Sequence, residues 1–161
     1  MMPAEVFLGL GSNLGDRRSA LARAIDALGK ASLRLSSRSS LYRTDPVEVV
    51  DQEEFLNQVV AFETDLAPAA LLGLCLEIEG AMGRVRKRDK GPRILDIDLL
   101  LYGDAVLRAE GLEVPHPRLH LRRFVLVPLV EIAPEVRHPV LGLTAVEMLQ
   151  RCPDRSRVDR V

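Results

Sequence analysis

Asp96 and Asp98 stand two residues apart in the run Ile94-Leu95-Asp96-Ile97-Asp98-Leu99. On a strand both point the same way, while Leu95, Ile97 and Leu99 turn toward a core. Their α-carbons are then roughly 6.5–7 Å apart. Two carboxylates on one face repel, and a hard divalent cation between them removes the penalty. Aspartate is disfavoured in strands, so a pair in one short strand needs a reason. Just upstream, Arg84, Arg86, Lys87, Arg88, Lys90 and Arg93 face the single acid Asp89. Carboxylates suited to magnesium beside a cationic loop are the ingredients of phosphoryl-group transfer: metal for the bridging oxygens, guanidinium for charge developing at phosphorus.

Other candidates are less specific. His116, held in Pro115-His116-Pro117, could donate to a phosphate or serve as a general acid. Arg122 and Arg123 add charge just after it. Glu79 flanks a helical pattern before Arg84 and either orients the cationic loop or solubilises the helix. Phe55 and Phe124 read as core residues, or as an aromatic pair able to sandwich a flat heterocycle. Gly9-Leu10-Gly11-Ser12-Asn13-Leu14-Gly15 lacks the lysine of a Walker A loop and the spacing of a dinucleotide fingerprint, so its glycines are read as turn formers.

The elements that must position these groups follow from periodicity. Val6–Leu10 reads as a first strand ending in a glycine turn, and Asn13 and Asp16 start a helix whose apolar face is Leu14, Leu21, Ile25 and Leu28, closed by Gly29. A twisted, partly exposed strand is expected around Leu33, Leu35 and Leu41, then a turn at Asp45-Pro46 and a strand over Phe55–Glu63. Pro68 opens a helix whose apolar positions are Leu71, Cys75, Ile78 and Met82. Ile94–Tyr102 returns to a period of two, and Gly103-Asp104 is read as a turn pairing it with Ala105–Leu107. Pro128 favours a helical turn over a strand in 122–129, and Thr144 caps a last short helix through Leu149. The compact solution is an α+β fold: a mainly antiparallel sheet covered by two main helices, as in ferredoxin-like sandwiches.

With 161 residues, 47% hydrophobic and 28% charged, the chain reads as one folded domain over 1–161 rather than a disordered one. Two cysteines exclude a disulfide framework or a four-cysteine zinc site. A net charge of −1 argues against a general nucleic-acid binder, as does the scarcity of aromatics. No stretch is apolar and long enough to span a membrane, and Glu5 sits where a secretory leader would be uncharged. The expectation is a cytoplasmic protein acting on a small polyanion. It is expected to be a monomer, with weak homodimerisation the alternative.

Taken in order, these segments resemble the 6-hydroxymethyl-7,8-dihydropterin pyrophosphokinases of folate biosynthesis. The resemblance is carried by Leu10-Gly11-Ser12-Asn13, Tyr42-Arg43-Thr44, Gln52 and Phe55-Leu56-Asn57, and the stretch from Glu79 to Arg84. It continues through 91–99, Val114-Pro115-His116-Pro117, Arg122-Arg123-Phe124 and the run to Pro134. The 91–98 segment with its preceding arginines is highly specific. The resemblance implies a ferredoxin-like fold with a mobile cationic loop before the metal-binding strand. It implies transfer of the pyrophosphoryl group of ATP to the hydroxymethyl oxygen of the reduced pterin, releasing AMP. By motif position, Asp96 and Asp98 would hold two magnesium ions, with Arg84 and Arg93 acting at the phosphates. ATP would meet Glu79, Arg84, Arg86, Arg93, Ile97, His116 and Arg122; the pterin would meet Thr44, Asp45, Val47, Phe55, Asn57 and Phe124. The chain departs from the family by carrying Lys90 where a tryptophan is common, by a cationic loop one residue shorter, and by Asp45 where proline is frequent.

Overall fold

The computed structural model describes residues 3–31, 33–45, 54–82 and 94–161. The expectations placed on Val47, Arg84, Arg86, Lys90 and Arg93, and on the cationic loop itself, lie outside these residues.

Strand β1 (Ala4–Ser12) is central. It pairs antiparallel with β4 (Phe55–Thr64) on one side and β5 (Asp96–Tyr102) on the other. Beyond β4 lie the short strands β2 (Arg34–Arg38) and β3 (Tyr42–Thr44), both paired to β4. A C-terminal strand, β8 (Val158–Arg160), closes the far edge against β3. Helices α1 (Arg17–Lys30) and α2 (Pro68–Ala81) cover one face, burying Leu21, Leu28, Leu71 and Cys75 against Leu8, Leu10, Val60, Phe62, Ile97 and Leu99. Helices α3 (Arg123–Ile132) and α4 (Ala145–Arg151) cover the other, where Leu126, Leu129 and Met148 pack on Phe7, Val59, Ala61 and Leu101.

The antiparallel α+β sandwich is as expected, but four helices among the described residues, two on each face, cover the sheet where two main ones were expected. The stretch from 123 to 132 is a full helix; Pro128 at its sixth residue forgoes one backbone bond while its ring is buried. Gly9 and Gly11 do not form a turn. Strand β1 runs through them to Ser12 because β4 and β5 pair with it on both sides. The residue that needs left-handed backbone is Gly15, at φ 72°, and the helix begins at Asp16, whose side chain accepts the Ser19 N–H at 3.1 Å. Leu14, expected on that helix, precedes it and is exposed.

The turn at Gly103-Asp104 exists, yet β5 does not pair with the residues just beyond it. The hairpin is instead β6 (Leu107–Ala109) with β7 (Leu112–Val114), closed at Gly111, φ 74°. Thr144 caps α4 as expected, in a reciprocal capping box with Glu147. No helix among the described residues is long and apolar enough to cross a membrane.

Candidate active site

The period-two reading of β5 holds. Ile97 and Leu99 enter the core beneath α1 and α2, and Asp96 and Asp98 lie half-buried on the opposite face. Register carries this face across the sheet. Gly11 pairs with Asp96 on one side and Asn57 on the other, and Asn57 pairs in turn with Tyr42. Cross-strand partners share a face, so Asp96, Gly11, Asn57 and Tyr42 form one row. With strands 4.7–4.9 Å apart, Asp96 and Asn57 are separated by about 10 Å along it. Gly9 pairs with Asp98, so no side chain from β1 stands between the aspartates and β4.

At the β4 end, Asn57 Nδ2 donates to Thr44 Oγ1 at 2.6 Å, with both residues buried. Thr44 pairs with Phe55, which shares the face of Asn57. Phe124 sits in the first turn of α3 above this same face, partly buried against its core. The Asp45 carboxylate lies 3.8 Å from Arg157 of the C-terminal segment. Arg157 also binds Glu54 at 2.7 Å, tying the end of β3 to the start of β4.

Arg122 connects the halves. Its Nη1 is 3.9 Å from Asp98 Oδ2, and its guanidinium carbon is 5.6 Å from the centroid of the Phe124 ring. It takes this position because it is the extended residue just before α3, whose first N–H, that of Arg123, donates to Asp154 at 2.9 Å.

Glu79 resolves differently from its sequence reading. It is 3% exposed, and its Oε2 accepts the Ile97 N–H at 2.7 Å. Strand β5 ends the sheet order, so the Ile97 amide finds its acceptor on α2 instead of a strand. The carboxylate therefore fixes the backbone between the two aspartates.

Against this edge lies a cavity of about 320 Å³ between α2, β5 and the β6–β7 hairpin. Its apolar walls include Leu72, Ile97, Leu99 and Leu112; Asp98, Glu113 and His116 supply polar groups. Such a volume suits a small organic ligand. Leu72 and Glu79 are seven residues apart and share a side of α2, a helical relation visible in sequence. Leu112 and Glu113 carry no such signal, because they belong to a hairpin whose pairing periodicity does not reveal.

Of the two sequence readings of His116, its surroundings favour the hydrogen-bond donor over the general acid. Burial, reinforced by Arg122 and Arg118, pushes its pKa down to about 4 against the opposing pull of Glu113 and Asp96. Its Nδ1 accepts the Arg118 N–H at 3.1 Å, so the neutral ring carries its proton on Nε2. It can donate a hydrogen bond to an anion but has little acid to offer at neutral pH.

The residues present fit a magnesium site. Two hard oxygen donors share one face, and no third His, Cys, Asp or Glu completes a metal cluster among the described residues. That is the donor set of a magnesium ion whose remaining ligands are water and substrate phosphate. The Cys75 thiol, beneath β5, is pushed up to about 12, chiefly by burial and further by the negative charge of Glu79 and Asp98.

The sequence profile of the 7,8-dihydro-6-hydroxymethylpterin-pyrophosphokinase family matches residues 7–134. The chain belongs to this pyrophosphokinase family. It is 47% identical over 158 residues to the 2-amino-4-hydroxy-6-hydroxymethyldihydropteridine pyrophosphokinase of Methylorubrum extorquens, covering 98% of both chains. To the Pseudomonas aeruginosa enzyme of the same name it is 42% identical, covering 94% of each. The structure superposes on wild-type Plasmodium falciparum HPPK-DHPS with a TM-score of 0.74 at 16% identity, over 92% of this chain and 44% of that one. This likeness shows the shared ferredoxin-like fold. As a member of the pyrophosphokinase family, the protein is an ATP-dependent enzyme carrying out pyrophosphoryl transfer of the family's type.

Proposed function

We propose that the protein transfers the β,γ-pyrophosphoryl group of ATP to the hydroxymethyl oxygen of 6-hydroxymethyl-7,8-dihydropterin, giving AMP and the pterin diphosphate. The observation that supports this reading is the row Asp96–Gly11–Asn57, which sets the aspartate pair and the Asn57 amide about 10 Å apart on one face. Asp96 and Asp98 would hold two magnesium ions, which when bound offset charge on the ATP phosphates and align the reacting oxygens.

The nucleoside end of ATP fits the cavity walled by Leu72, Leu99 and Leu112, beside the aspartates. His116 donates through Nε2, and Arg122, already drawn toward Asp98, neutralises phosphate charge. Arg84, Arg86 and Arg93 supply further cationic groups. The pterin lies over Phe55 and under Phe124, with Asn57 and Thr44 reading its polar edge; Asp45, just after β3, and Val47, outside the described residues, complete its proposed contacts. As the hydroxymethyl oxygen bonds to the β-phosphorus, the bond from that phosphorus to the α,β-bridging oxygen breaks and AMP leaves with the bridging oxygen. The hydroxyl proton passes to water or to one of the two aspartates.

The test is phosphorus NMR of the purified protein with magnesium-ATP and 6-hydroxymethyl-7,8-dihydropterin, alongside controls lacking pterin or magnesium. AMP and a pterin diphosphate should appear together only in the complete mixture. Asp96→Asn should remove nearly all of this activity, with a loss on the order of a hundredfold, and leave the fold intact. ADP as product, or full activity in Asp96→Asn, refutes the proposal.

A further inference from the structure

We infer that Gly11 is a positioning residue for the pterin: its missing side chain lets Asn57 present its amide to the heterocycle. The inference rests on the pterin site proposed above and extends it to β1, the strand between the aspartates and Asn57. A β-carbon built on Gly11 would stand 2.9 Å from Asn57 Oδ1 and 3.6 Å from Phe55 Cδ1. The first distance is one that non-bonded β-carbons essentially never show. Asn57 cannot yield cheaply, because it is 8% exposed and its Nδ2 is committed to Thr44 Oγ1 at 2.6 Å. An alanine at position 11 therefore rotates the Asn57 amide, breaks its bond to Thr44 and crowds the Phe55 ring, all in the same cradle. A glycine inside a strand commonly marks a close approach of a ligand or a neighbouring chain, and here the neighbour is the amide that would read the substrate.

Gly9 supplies the internal control. It lies on the same strand and face, yet a β-carbon there would meet only Leu100, at 3.5–3.7 Å, an ordinary contact. Backbone freedom explains neither position, since neither residue is among the glycines with positive φ.

The experiment compares Gly11→Ala, Gly9→Ala, Asn57→Ala and the Gly11→Ala/Asn57→Ala double variant by steady-state kinetics in both substrates, with a thermal melt of each. Gly11→Ala should raise KM for the pterin at least tenfold while KM for ATP stays within twofold, and Gly9→Ala, whose β-carbon meets neither Asn57 nor Phe55, should leave the pterin KM within twofold. In the Asn57→Ala background the alanine at 11 should add less than twofold, because the group it displaces is gone. Unchanged pterin KM in Gly11→Ala, with a raised one in Asn57→Ala, overturns the inference alone; so do effects that simply multiply in the double variant. Unchanged pterin KM in Asn57→Ala overturns the pterin site itself and the inference with it. A Gly11→Ala protein that fails to fold while the double variant folds would reduce the contact to a structural one and overturn the positioning role.

Discussion

Replacing Glu79 tests whether the strand bearing the two aspartates is held from behind. Its carboxylate accepts the Ile97 N–H at 2.7 Å, and both groups are buried. In Glu79→Ala that amide loses its acceptor, and an unsatisfied buried donor costs about 1–3 kcal/mol. The bond lost is charge-assisted, which places the cost toward the upper end. Removing a carboxylate that is 3% exposed returns part of the free energy spent in desolvating it. The net loss is about 2 kcal/mol. For a chain of this size each kcal/mol lowers Tm by about 2–4 °C, so the variant should melt about 4–8 °C lower.

Glu79→Gln separates the bond from the charge. The glutamine oxygen can still accept from Ile97, so stability should fall by about 1 kcal/mol or less. Its missing charge should still weaken the cation site on the far side of Ile97. Thermal melts of both variants and magnesium titrations of AMP formation give the two readouts. Both variants should need more magnesium for half-maximal rate, with Glu79→Ala alone losing most of the stability. A Glu79→Ala protein that melts within about 1 °C of the wild type and keeps its magnesium dependence would refute the reasoning.

His116 is neutral in the fold down to about pH 4, whereas in the unfolded chain it takes its proton near 6.5. Between these values the unfolded state binds more protons, so this residue makes stability fall as pH drops through that window. An NMR titration of the His116 ring should show the low value in the free protein, and ring protonation near pH 6.5 would contradict it. Tyr42 donates to Glu131 at 2.7 Å, and Ser40 and Arg160 bind the same carboxylate. Losing the hydroxyl in Tyr42→Phe should cost about 1 kcal/mol and lower Tm by about 2–4 °C. An unchanged melting temperature would show that this cluster does not tie β3 and β8 to α3.

Some of the chemistry is local enough to be written in the chain itself. Period-two alternation puts Asp96 and Asp98 on one face whatever the strand pairs with, and Pro68 with apolar residues at Leu71, Cys75 and Ile78 marks α2 in the sequence. The motifs around these residues are also sufficient to point to the family. Pairing is not local, because it is settled by contacts far apart in sequence. Gly9 and Gly11 read as a turn because glycine weakens an isolated strand; β4 and β5, distant in the chain, hold them extended. The β6–β7 hairpin displaces the expected pairing with β5, and β8, three residues long, has no signal apart from its partner. Glu79 looks like a solvated helix residue because its partner is a backbone amide, and an amide has no sequence signature. Register alone decides that Asp96, Gly11 and Asn57 form one row, since a slip of a single residue would send Asn57 to the opposite face of the sheet.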